Sequence, residues 1–241
     1  MATMFIDHLR FLLTSEKTMS AEIISTCLFG LGRLAFPLFA YLLVDGLFRT
    51  RSKERFFVRL FVFAVISEVP FDLMRSAKLL DFSKQNVMWT LLFGFGAMWL
   101  LEGIRKTFEE RKRFCILMQA LVSVVAMVFG FLAHTDYSYV GVACILTIYF
   151  CRKAEHMFPA GFPIRADMMG YIAGVMLLLI NSEMEMTALF GLLLIWNFHG
   201  KAGERIPKFF GYGFYPLHML LIVVIRGLLF PNLNFLSLLH L

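Results

Sequence analysis

Asp7, His8 and Arg10 lie within the apolar run MFIDHLRF at residues 4–11. Ionisable side chains in a membrane segment are costly and are kept for a use or for a partner. The imidazole of His8 is suited to general-base work, because its unperturbed pKa of about 6.5 lies near working pH. Asp7 is about 100° round the helix from His8, so it acts on another helix, such as the one carrying Arg33, and not on His8 directly. The structural alternative is that Asp7 and Arg10, three residues apart, neutralise each other while His8 bonds a backbone carbonyl. Two further residues extend the set. His218 and Arg33 also fall inside apolar runs. A guanidinium or an amide, such as that of Asn197, can hold the oxyanion of a tetrahedral intermediate.

These residues sit in a chain of 241 residues that is 59% hydrophobic and only 17% charged, with 28 Phe and a mean hydropathy of +0.74. A soluble domain has a larger polar share. The composition points to an all-α, polytopic transmembrane helical bundle forming a single domain over 1–241. The first apolar run carries no small-residue cleavage site and reads as retained. The net charge of +6 is explained by basic loops of a membrane protein and not by nucleic acid. Cys27, Cys115, Cys144 and Cys151 lie in or beside apolar runs and read as free thiols. No cluster has metal-ligand spacing, and neither a phosphate-binding glycine loop nor a nucleophile elbow occurs, so no metal is expected.

About nine apolar segments position the polar residues: 1–14, 21–48, 56–70, 86–104, 114–133, 136–151, 167–182, 186–198 and 209–230. Sixteen basic residues fall in alternate loops and four in the others. Under the positive-inside rule this predicts a cytoplasmic N-terminus and an outside C-terminus. The first segment is short for a crossing. The second is long, and Pro37 is expected to kink it. At helical rise, His8 lies about 10 Å from the inner end of segment 1, His218 about 15 Å from Lys208, and Arg33 about 22 Å from the inner end of segment 2, so the three are expected in the central third of the bilayer.

Two rims flank that centre. On the outer side are Glu68, Asp72, Gln85, Asn86, Asp136 and Tyr137, with Pro70 expected to stop a helix. They suit an amine or hydroxyl acceptor, although Asn86 and Asp136 equally occupy cap positions. On the inner side Asn197, His199, Lys201, Arg205 and Lys208 form a basic loop that suits a polyanion, or that simply supplies topology charges. The layout fits group transfer from a cytosolic anionic donor to an outward acceptor. It also fits a proton-coupled small-solute transporter using His8, His218 and Glu68, although no inverted repeat is visible. A non-catalytic scaffold would leave the central ionisable residues without a use.

The strings MFIDH at 4–8, GRLAFPLFAYLLVDGLFRTRSKERFFVRL at 32–60, ISEVPFDL at 66–73, QNVMWTLLFG at 85–94, DYSYVGVACIL at 136–146 and FGYGFYPLHMLLI at 210–222 occur in this order. Together they resemble the TraX family, which takes its name from conjugative pilin N-acetylation and is grouped with acyltransferase type 3 proteins and heparan glucosaminide N-acetyltransferases. The stretch before Met4 and the loop TSEKTMSAE are shorter than that pattern. The resemblance implies a bacterial inner-membrane, multi-pass acyltransferase with acetyl-CoA as donor. It implies His8 as the catalytic candidate, with Arg33 and His218 in matching motifs. The expected partners are membrane lipids and acetyl-CoA. The acceptor is left open between a peptide N-terminus, an amino sugar and another amine or hydroxyl.

Overall fold

The computed structural model describes residues 1–13, 18–155, 164–197 and 208–229. It is helical throughout, with no strand among the described residues. The order is α1 (Ala2–Leu13), α2 (Met19–Gly32), α3 (Ala35–Arg49), α4 (Lys53–Ser76), α5 (Val87–Thr107), α6 (Lys112–Leu132), α7 (Ser138–Lys153), α8 (Ala166–Leu178), a 3₁₀ helix (Glu183–Phe190), α9 (Gly191–Asn197) and α10 (Lys208–Leu229). Caps explain several starts. The hydroxyls of Thr18, Ser52 and Ser182 and the amide oxygen of Asn86 each accept a backbone N–H of the following turn.

Three described runs are long and apolar enough to cross a membrane: Met19–Arg49, which joins α2 and α3, then Val87–Thr107 and Lys112–Leu132. These apolar helices mark a membrane protein. Helix α6 turns Ile116, Leu121, Val124, Val128 and Leu132 outward, which is the surface that lipid would cover. Helix α1, at 12 residues, extends about 18 Å and is shorter than a bilayer core.

Pro37 breaks segment 2 as expected, whereas Pro70 does not stop its helix. Pro37 is the third residue of α3, and the chain breaks four residues earlier, at Arg33 and Leu34. A proline ring clashes with the carbonyl of residue i−4, so the break falls where that clash would lie. Segment 2 is therefore two helices. Pro70 does not stop α4, which continues to Ser76 and ends at Ala77 in the left-handed conformation, φ 55°. Proline removes one N–H only, and packing against α5 and α10 carries the helix past it.

The centre of the bundle is formed by α3, α5 and α7, where Ala40, Val44, Phe95, Met98, Val142 and Ile145 are fully buried. Helix α8 lies against α7 at a small-residue seam. A Cβ on Gly170 would meet Cys151 Cβ at 2.8 Å, and one on Gly174 would meet Cys144 Sγ at 2.8 Å. This is the close backbone approach through which helices associate in lipid. Helices α3 and α7 run in the same direction, so Arg33 and Tyr137 mark one end of the bundle and Arg49 and Lys153 the other.

Candidate functional site

Helix α1 packs against α2 and α10. Its approach to α2 depends on Gly32, where a Cβ would sit 2.3 Å from Asp7 Cβ. Only a hydrogen fits there, and the contact sets Asp7 beside the break that releases Arg33 from α2. Asp7, His8 and His218 are all buried.

The two histidines, 210 residues apart in sequence, meet. His8 Nδ1 lies 2.7 Å from His218 Nε2, and the rings stack at 4.9 Å between centroids. His218 Nδ1 lies 2.6 Å from the carbonyl oxygen of Phe214, one turn back on α10. A carbonyl only accepts, so His218 Nδ1 carries the hydrogen and its Nε2 offers a lone pair. His8 Nδ1–H then donates to that lone pair. The remaining nitrogen, His8 Nε2, is left unprotonated and has no hydrogen-bond partner among the described residues. The chain of bonds thus fixes one tautomer and points one base.

Arg33 bonds to neither histidine. Its Nη2 donates to Asp7 Oδ2 at 3.2 Å and its Nη1 to Glu185 Oε1 at 3.1 Å. The guanidinium lies over the Phe29 ring at 4.3 Å and faces Tyr137 at 5.6 Å. Arg10 Nε approaches Asp7 Oδ1 at 3.4 Å without making a well-formed hydrogen bond, so Asp7 answers to two arginines. Glu185 comes from the 3₁₀ helix, which Thr187 ties to α2 by donating to the Gly30 carbonyl at 2.6 Å.

A cavity of about 360 Å³ lies between these groups. Asp7, His8, Arg33, Tyr137 and Glu185 form its wall, and Arg10, Arg75, Lys84 and Asp136 stand nearer its rim. The cavity therefore reaches the loops around 77–86, 133–137 and 179–182. The site lies at the end of the bundle marked by Arg33 and Tyr137, where α1 is short and segment 2 breaks. At the rim, the hydroxyl and backbone N–H of Ser83 hold the Asp81 carboxyl down to about 2, and Arg75 pairs with it at 2.8 Å.

The six residues expected on the outer rim divide. Asp136 and Tyr137 line the cavity, Asp136 pairing with Lys84 at 2.7 Å and Tyr137 stacking on Phe36. The other four are engaged in the framework. Glu68 accepts from the Asn86 amide, from Asn86 N and from Trp89 Nε1, so its carboxylate locks α4 to the start of α5. Asn86 caps α5 and donates to the Ala64 carbonyl. Asp72 accepts from Asp81 N at 2.8 Å, and the backbone N–H of Gln85 donates to His134 O at 2.9 Å. Of the basic set, Asn197 is exposed and donates to the Leu193 carbonyl, and it is absent from the described cavity wall. His199, Lys201 and Arg205 lie outside the described residues, as does the side chain of Lys208.

Glu185 was not among the residues singled out from the sequence. It belongs to NSEMEM, where two acids precede an apolar segment and read as a loop edge. The signal in the sequence is faint: an acidic residue three positions after a serine cap, on a segment too short to show periodicity.

The fold and cavity define a helical membrane protein with a buried, tautomer-fixed histidine pair beside an arginine shared by two carboxylates. The family model described as TraX protein matches residues 1–226, and the chain belongs to that family. It is 27% identical to the probable fimbrial assembly protein FimC, serogroup H1, of Dichelobacter nodosus, over 91% of this chain and 89% of that protein. No solved structure matches.

Proposed function

We propose that the protein is a membrane-embedded acyltransferase that moves an acetyl group from acetyl-CoA to an amine or hydroxyl acceptor, with His8 as general base. The observation that carries this reading is the hydrogen-bond chain from His8 through His218 to the Phe214 carbonyl, which leaves His8 Nε2 as a lone pair in a cavity shared with Arg33. The acceptor N–H or O–H gives its proton to Nε2 as its heteroatom bonds to the thioester carbon. The carbonyl electrons move to oxygen, and the Arg33 guanidinium lies on the same wall to balance that charge. Collapse re-forms the C=O bond and expels the thiolate, which takes the proton from the imidazolium. His218 is a positioning residue: it sets the tautomer of His8.

The same chain of bonds favours an enzyme over a proton-coupled carrier. It ends on a backbone carbonyl, which cannot pass a proton onward. The fuller reading places nine segments across the bacterial inner membrane with the N-terminus in the cytoplasm, so that the cavity opens on the outer side and the basic loops draw the donor from within. The relative named for fimbrial assembly puts fimbrial subunits among the acceptors to try. The test is acetyl transfer from labelled acetyl-CoA by the purified chain in nanodiscs. Transfer that is lost in His8→Ala supports the reading, and transfer undiminished in that variant overturns it. A loss seen only in His218→Ala moves the base to α10.

A further inference from the structure

Glu185 is 1% exposed, and its carboxylate is only half satisfied. Oε1 accepts from Arg33, whereas Oε2 is buried and has no hydrogen-bond partner among the described residues. Buried carboxylate oxygens nearly always accept something. The charges around it are uneven as well. Asp7 and Glu185 share the single guanidinium of Arg33. Asp7 has Arg10 as a second cation, and Asp136 has Lys84. Glu185 has no second cation among the described residues, although it is the most deeply buried of the three acids that line the cavity.

We infer that Glu185 is the specificity-determining residue of the acceptor subsite, and that its free Oε2 receives the N–H hydrogens of a protonated primary amine. The inference rests on reading the cavity as the acceptor's site and narrows the acceptor within it. Three acceptor atoms of residues on that wall lack a hydrogen-bond partner among the described residues: His8 Nε2, Glu185 Oε2 and Asp7 Oδ1, the last with Arg10 at 3.4 Å. A hydroxyl brings one hydrogen and can satisfy only one of them. An ammonium group brings three hydrogens and a positive charge that completes the pairing of Glu185. The step balances: the ammonium gives one proton to His8 Nε2, the freed lone pair bonds to the thioester carbon, and the thiolate leaves. The thiolate takes the proton from the imidazolium, and the second N–H proton passes to His8 Nε2 and on to water. Amide, thiol and one proton are the products.

Binding tests this without any acyl donor. Thermal unfolding of the full chain in nanodiscs is followed with butylammonium chloride and with 1-butanol as probes, because a ligand of the folded state raises the midpoint by mass action. The expected result is a saturable rise with butylammonium and none with butanol at the same concentration. Glu185→Gln should bind the amine about tenfold or more weakly, the usual scale for a lost charge-assisted hydrogen bond. Glu183→Gln, which alters the exposed neighbour on the same 3₁₀ helix, should bind it as the wild type does. Equal shifts from amine and alcohol, no shift from butylammonium, or unchanged affinity in Glu185→Gln would each overturn the inference. Should Glu185→Gln fail to fold, the wild-type comparison of amine with alcohol decides alone. An amine that binds through Glu185 yet is never acetylated would instead count against the acyltransferase reading.

Discussion

The two ends of the bundle treat buried charge in opposite ways. At the end marked by Arg49 and Lys153, carboxylates are matched. Asp45 gives one oxygen to Arg49 and the other to Arg152 at 2.9 Å. Glu102 accepts from Tyr149 and Lys153, both at 2.7 Å, and Asp167 accepts from Tyr41 and Arg165. At the cavity end, Asp7 Oδ1, Arg33 Nε and Glu185 Oε2 are buried and lack a hydrogen-bond partner among the described residues. Backbone strain divides the same way. The described non-glycine residues at positive φ are Ala77, His134 and Ser138, all in the turns of the cavity end. Charges matched by neighbours hold helices together. Charges around the cavity are left partly unmatched, as the proposed site requires.

Substitutions at the two ends should therefore fail in different ways. The largest effect is expected from His8→Ala, which removes the free base. Acetyl transfer should fall by about 10²–10⁴-fold, the usual contribution of general-base catalysis. Next is a matched pair of variants. Arg33→Gln strands buried Glu185 and leaves Asp7 with Arg10 alone, and Asp45→Asn strands Arg152. Each should lower stability, by up to about 3–5 kcal/mol where one partner of a buried pair is lost. Their activities should part: transfer per folded molecule is lost in Arg33→Gln and kept in Asp45→Asn. Chemical denaturation together with the acetyl-transfer assay reads both. Equal loss of activity in the two variants would remove the distinction between the ends.

How much of this could be read in advance follows from the range of the interactions. The helical membrane class follows from composition, which is a property of the whole chain. His8, Arg33 and His218 stood out because each is ionisable inside an apolar run, which is a local signal. The helical angle of Asp7 already turned it from His8 toward the helix of Arg33, where it bonds; that His8 and His218 bond across 210 residues and that Arg33 also reaches Glu185 depends on helix packing, which spacing does not encode. Glu68 looked like a ligand group because it lies before a proline and has no cap to make. Its partner Asn86 lies 18 residues on and was read separately as a cap.

Glycine substitutions sharpen the comparison on a smaller scale. Gly32→Ala sets a methyl 2.3 Å from Asp7 Cβ. Both helices must separate, at about 1–3 kcal/mol for overpacking. Because α1 carries His8, activity should fall more than stability does. Gly103→Ala is the control at the other end of α5. A Cβ there meets nothing within 4 Å, and in a helix interior alanine should stabilise by about 0.4–1 kcal/mol. Thermal midpoints moving in opposite directions would support both assignments.

The smallest effect should come from the rim. Lys84 pairs with Asp136 at 2.7 Å, but its side chain is 43% exposed, so water competes for both partners. Such pairs contribute about 0–1 kcal/mol. Lys84→Ala should therefore leave stability almost unchanged. It also removes a cation from the cavity mouth without touching Asp7, Arg33 or Glu185. If an ammonium acceptor enters past this rim, losing a like charge should speed its association slightly, and the gain should fade as salt is raised across a Debye length of about 10 Å at 0.1 M. Initial rates at low and high ionic strength check this. A Lys84→Ala variant as damaged as Arg33→Gln would mean that the working charge sits at the rim, and that the Arg33 cluster is framework like its counterparts at the opposite end.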